Sequence, residues 1–280
     1  MHAAEIALFW VALPGYIAGS VAYMYYLAFR KSFVLTAAAI VVPTAWVLHL
    51  SSLVARGFAA GHFPYSNSYE FLSVFAWGVV GLYLFIQRSS HLPALGAFVL
   101  PLAWLIMGVA WANYGLPGEL RPELRSSWFV FHVTVAFLAY AAFAVAFGVA
   151  VMYLLQERNL KRKVTGSLFR RLPPLEVLDH LSYRSVVFGF PLLTLALISG
   201  MIWAEQAWGS YWIWDPKLTS AVVTWVIFAG YLHAHVIAGW QGRRTAWLAA
   251  IGFVAALFTF GLSFLIGPHG AEGLRTIVGG

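Results

Sequence analysis

Eight stretches of about twenty mostly apolar residues follow one another along the chain. They run at roughly 5–29, 33–55, 69–87, 92–113, 128–155, 184–204, 218–240 and 245–266. Each is long enough to cross the ~30 Å hydrocarbon core of a bilayer. Backbone groups in lipid find no water to bond, so each span must be a helix. The expected fold is therefore an all-α polytopic integral membrane protein with about eight transmembrane helices. Composition points the same way: 61% of the residues are hydrophobic and 10% charged, against about 25% charged in an average soluble domain. A water-soluble globule of this size could not bury that much apolar surface, which excludes a soluble enzyme. The first span has no basic region before it and carries Pro14 and Gly15, so it reads as a retained helix and not a cleaved signal peptide. With no internal repeat and no soluble domain in evidence, residues 1–280 read as a single membrane helix bundle.

Basic residues give the expected direction. Of the 17 Lys and Arg, twelve fall in one set of alternating loops, including Arg30, Arg88, Arg158, Arg162, Arg243 and Arg244. Five fall in the other: Arg56, Arg121, Arg125, Lys217 and Arg275. The first set is expected in the cytoplasm, with both termini on the outer side. The basic cytoplasmic loop, about 156–183, has room for a short helix from Pro173 to His180. The net charge of +7 reports this topology and requires no nucleic acid.

Cysteine is absent, which rules out disulfides, Cys-ligated zinc and iron–sulfur clusters in this chain. The nine His are the remaining metal-ligand candidates. His2, His91 and His180 sit at span ends and read as interfacial residues. His62 precedes Tyr65-Ser66-Asn67-Ser68-Tyr69-Glu70, where Asn67 or Ser68 caps span three and Glu70 meets the positive end of its dipole. His49 reads as a buried imidazole bonded to a neighbouring helix. His132, one turn into span five, and His269, just beyond span eight, fall at the same outer face. They are either two unrelated interfacial residues or a facing pair that binds a metal or haem iron.

The segment of about 203–217 holds Trp203, Trp208, Tyr211, Trp212 and Trp214, followed by Asp215-Pro216-Lys217. An aromatic belt would explain Trp at the headgroup level, although a belt scatters its Trp over several helix ends. Asp215 and Pro216 suit the N-cap and first turn of span seven. A dense aromatic platform beside a cation and two His suits a large flat ligand carrying carboxylates, such as haem. His233 lies about 25 Å down span seven by helix rise, too far to reach an outer ligand. His235, two residues on, points to nearly the opposite side. His233 shares a stripe with Trp225, and His235 shares one with Thr224, Phe228 and Tyr231.

The string Trp208-Gly209-Ser210-Tyr211-Trp212-Ile213-Trp214-Asp215-Pro216 resembles the tryptophan-rich WWD signature of haem-handling proteins in cytochrome c maturation. Gly61-His62-Phe63-Pro64-Tyr65-Ser66-Asn67-Ser68-Tyr69-Glu70 resembles a segment of the CcsA/ResC branch, as do Phe131-His132-Val133 and Thr224-Trp225 followed by Tyr231-Leu232-His233. The resemblance runs from about His49 to His269. It implies a CcsA-type subunit of the system II pathway, working with a CcsB/ResB-like membrane partner. Such a pair moves haem b outward and attaches it to the Cys-x-x-Cys-His motif of apocytochrome c. By the same resemblance His132 and His269 hold haem iron at an outer site and His233 belongs to an inner site. Trp208, Tyr211, Trp212, Trp214 and Asp215 form the WWD platform, and a partner supplies the second inner His. The thiols come from the apocytochrome, so a chain without Cys suffices. This places the protein in a bacterial inner membrane or a thylakoid-type membrane, as a component of a cytochrome c haem lyase whose activity requires its partner. The alternatives are a CcmC-like haem transporter, which usually has six spans, and a HemX-like assembly or regulatory protein without lyase activity.

Overall fold

A computed structural model describes residues 2–90, 92–163, 172–212 and 216–265. Among them the chain is helical throughout, with no strand. Helices α1 (His2–Phe29), α2 (Ser32–Ala60), α3 (Ser68–Ser90) and α4 (Ala94–Ala112) are followed by a 3-10 turn at Pro122–Arg125. Helices α5 (Ser127–Lys161), α6 (Leu175–Trp208), α7 (Pro216–Val236) and α8 (Arg243–Leu265) complete the order. Among the described residues seven helices, α1 to α7, are long and apolar enough to cross a membrane. The fold is that of a polytopic helical membrane protein. Because each helix reverses the last, the starts of α1, α3, α5 and α7 share one face, here the N-terminal face. Arg30, Arg158, Arg162 and Arg243 gather at the opposite, basic face.

Helix α5 is the hub, packing on α3, α4, α6 and α8. Its central turns, Ala139 to Ala150, are rich in small buried residues that let neighbouring backbones come close. Helices α1 and α2 pack as a pair, as do α3 and α4, and α7 and α8. On the side of α7 toward α6, Trp225 Nε1 donates to Thr194 Oγ1 at 2.9 Å. At the basic face Asp179 Oδ1 accepts from the Gly242 N–H (2.8 Å) and the Thr245 hydroxyl (3.0 Å), pinning the start of α6 to the α7–α8 turn.

Two expectations need correction. The stretch from Pro173 to His180 is no separate loop helix. Residues from Leu175 onward are the first turns of α6, which runs unbroken to Trp208 even through Pro191. Likewise α5 continues past its apolar stretch to Lys161, held at its end by a Lys161–Glu157 pair at 2.6 Å. Hydropathy stops at the first charges, whereas helical hydrogen bonding continues beyond the lipid.

Candidate haem-ligand site at the N-terminal face

His132 is the best-defined of the expected site residues. Ser126 opens α5, its hydroxyl accepting from the Trp128 N–H at 3.2 Å and donating to Gln206 of α6 at 2.8 Å. One turn later the half-buried His132 ring lies against α6. Its Nδ1 is 2.7 Å from the Ala196 carbonyl oxygen. A carbonyl only accepts, so Nδ1 carries the proton and the lone pair of the neutral ring sits on Nε2. That is the tautomer in which an imidazole ligates a metal through Nε2. One face of the ring stacks on Trp203, at 6.1 Å between centroids and 17° between planes. Trp203 is anchored in turn by Nε1–H donation to the Glu123 carbonyl at 2.8 Å, and packs on Phe129 and Trp208.

The aromatic cluster divides in two. Trp203 lies inside α6 and is buried, so it is part of the wall behind His132 and not of the loop. Trp208 is the last residue of α6. Gly209, in the left-handed region at φ 71°, ends the helix by donating its N–H to the Glu205 carbonyl. Tyr211 and Trp212 follow, both exposed. Pro216 then begins α7 at the position where a missing N–H costs nothing. Trp214, Asp215 and His269 lie outside the described residues, as does His91.

The other His resolve by their neighbours. His49 is buried, its Nδ1 3.3 Å from the Tyr16 hydroxyl and its Nε2 2.9 Å from Ser73 Oγ, so it ties α2 to α1 and α3. Both ring nitrogens of His62 face carbonyls, of Phe63 (2.7 Å) and Gly118 (3.1 Å). At the other end of α7, His233 is exposed. His235 turns inward with Thr224, Phe228 and Tyr231, stacks on Tyr183 at 4.2 Å, and has a buried Nδ1 without a partner among the described residues. The two imidazoles thus face apart, as their spacing requires.

A polar centre missed in the sequence lies at the same face. Arg56, fully buried, donates Nε to Glu70 (2.7 Å), Nη1 to Glu5 (3.3 Å) and Nη2 to the Gly115 carbonyl (2.8 Å). Glu70 also accepts from the Ser66 N–H and hydroxyl, and its own N–H bonds Asn67 Oδ1, which confirms Asn67 as the cap of α3. Arg56 therefore belongs to a helix and an ion-pair network, and is not the loop charge counted for orientation. Nearby Tyr114 has its phenol pushed up by burial and by the Glu5 carboxylate, and its hydroxyl meets His2 Nε2 at 3.1 Å. The available signal was three ionisable residues, Glu5, Arg56 and Glu70, at matching depth in adjacent spans.

Among the described residues no three His, Asp or Glu gather as a metal cage. An iron already held by a porphyrin needs only axial ligands, and a single oriented imidazole beside aromatic rings fits that demand. The sequence model of the cytochrome c assembly protein family matches residues 65–269, and the chain belongs to that family. Within it the chain is one of the CcsA cytochrome c biogenesis proteins. It is 38% identical over 259 residues to CcsA of Synechococcus sp. (strain RCC307), covering 82% of this chain and 83% of that one. It is 40% identical over 244 residues to CcsA of Prochlorococcus marinus (strain MIT 9312), covering 78% of each. CcsA of Guillardia theta is 37% identical over 235 residues, 76% of this chain and 77% of that one. A solved structure of the cytochrome c haem lyase CcmF superposes with a TM-score of 0.71 at 15% identity. It covers 92% of this chain and 46% of that one, a likeness of fold.

Proposed function

We propose that this chain is the CcsA-type subunit of a cytochrome c synthase. It receives haem b near the basic face and presents it at the N-terminal face for attachment to apocytochrome c. The observation that carries this reading is the His132 imidazole, held by its Nδ1–H on the Ala196 carbonyl with its lone pair on Nε2, beside Trp203 and Trp208. His132 and His269 serve as the axial pair of the outer site, with Trp208, Tyr211, Trp212 and Trp214 as its aromatic edge and Asp215 beside them. Attachment adds a cysteine S–H of the apocytochrome across a haem vinyl C=C, sulfur to one carbon and the proton to the other. That addition needs no net oxidant or reductant. The chain's own share is to orient the haem, shield the iron and leave the vinyl edge open to the incoming peptide.

In this reading the N-terminal face is the outer side, both termini are outside, and the eight helices act as one bundle in a bacterial inner or thylakoid-type membrane. Reporter fusions at Lys161 and Gly115 test it: the expected result is inside for Lys161 and outside for Gly115. The reverse result would move His132 and the Trp segment to the cytoplasm and end the reading.

His233 is the proposed ligand of an inner site completed by a CcsB/ResB-like partner, supported by its exposure at the basic end of α7. Co-expressed and purified with that partner, the chain is expected to show a Soret band with bis-His features and to mature a reporter cytochrome c. His233→Ala should cut haem delivery to the outer site, and added imidazole should partly restore it. A colourless complex would sink the haem role. Normal maturation by the His233→Ala complex would remove the inner ligand alone.

A further inference from the structure

We infer that α6 carries a purpose-made seat for the His132 imidazole, in which Gly200 is a positioning residue and the Ala196 carbonyl the fixed acceptor. This inference rests on the proposed role of His132 as an axial haem ligand.

Ala196, Gly200 and Trp203 are spaced by four and three residues, so they form one stripe of α6. A helical side chain leans back over the turn that precedes its own Cα. Whatever stands at position 200 therefore covers the carbonyl of residue 196. Glycine leaves that carbonyl open, and His132 Nδ1 reaches it at 2.7 Å. The Ser199 hydroxyl also approaches the same oxygen, at 3.2 Å, while bonding Leu195 more closely. A Cβ at position 200 would lie 2.8 Å from both Cε1 and Nδ1 of His132, closer than such atoms come. The ring is backed by Trp203, itself tied to the Glu123 carbonyl, so making room means giving up the carbonyl or the Trp203 face. In a membrane helix a glycine at a contact lets a neighbouring group come close. Here that group is the His132 imidazole.

A carbonyl acceptor on Nδ1–H fixes the tautomer and the ring plane of a ligating histidine and raises its basicity. Gly200→Ala should therefore weaken haem retention by about 10–100-fold, the usual effect of losing such support. It should also make the haem potential more positive, since a less basic ligand stabilises the ferric state less. Gly230→Ala in α7 is the matched control, because a Cβ there meets nothing within 4 Å.

The test uses the complex of the full chain with its partner, in two measurements. First, 15N spectra of His-labelled complex stripped of haem, with the His132 signal identified by its loss in His132→Ala, should show the proton on Nδ1. Gly200→Ala should abolish that fixed tautomer. Second, haem titration at the Soret band and a redox titration should show the weaker binding and raised potential in Gly200→Ala and neither change in Gly230→Ala. A wild-type His132 protonated on Nε2 would overturn the seat without any variant having to fold. So would a Gly200→Ala complex with the tautomer, affinity and potential of the wild type. An unchanged Soret spectrum in His132→Ala would instead overturn the ligand role itself, and the 15N result would still report on the seat.

Discussion

His132→Ala is expected to lose outer-site haem and, with it, maturation of cytochrome c. The loss should exceed the roughly 10–100-fold that removal of a supporting hydrogen bond costs a ligand, because the iron–nitrogen bond itself goes. His269→Ala should behave alike, since bis-His coordination fails with either ligand. Haem content of the purified complex and yield of a reporter cytochrome c are the measurements. His62→Ala supplies the contrast. That imidazole is at the same face, but both its nitrogens are turned to carbonyls of its own and the neighbouring loop, so its loss should leave the Soret band in place. Unchanged haem content and maturation in both His132→Ala and His269→Ala would rule out the outer pair.

The second large effect is on stability. Arg56→Leu leaves Glu70 buried with no cation beside it and Glu5 with only the His2 imidazole at 3.2 Å, and breaking a buried pair in this way costs about 3–5 kcal/mol. The guanidinium also holds the Gly115 carbonyl, so the loop after α4 should loosen together with the starts of α1 and α3. Thermal or denaturant unfolding of the detergent-solubilised protein should show the drop. Combining Glu5→Gln, Arg56→Met and Glu70→Gln removes charge from all three members and should recover much of the loss, since a buried network replaced as a whole is often close to neutral. An Arg56→Leu protein with the unfolding midpoint of the wild type would show that the network contributes little.

The helices themselves were legible because lipid demands one long apolar segment per crossing, and all eight stretches are helical. Their ends were not. The Glu157–Lys161 pair and the turns from Leu175 onward are helical yet polar, and hydropathy counts such residues as loop. The opposed directions of His233 and His235 followed from a spacing of two, and the inward stripe of Thr224, Phe228 and Tyr231 is the buried one. Which stripe would be buried depended on α6 and was not written in α7. Trp203 reads as one of a run of loop aromatics, because nothing local distinguishes it from Trp208. Its place behind His132 is a contact between α5 and α6, as is the opening left by Gly200. Arg56 looked like a loop cation for the same reason: its partners Glu5 and Glu70 are 51 and 14 residues away.

The order of these partners along the chain bears on how the protein is made. Glu5, Arg56, Glu70 and Gly115 all precede α5. Each ionised side chain is costly in the membrane until it is paired, and every partner in this network is translated before the first residue of α5. The leading four helices can therefore settle their own charges during translation. His132, Trp203 and His233 follow in the later helices, and α5 to α8 pack onto the leading half without any carboxylate of this network waiting for a cation still to be translated.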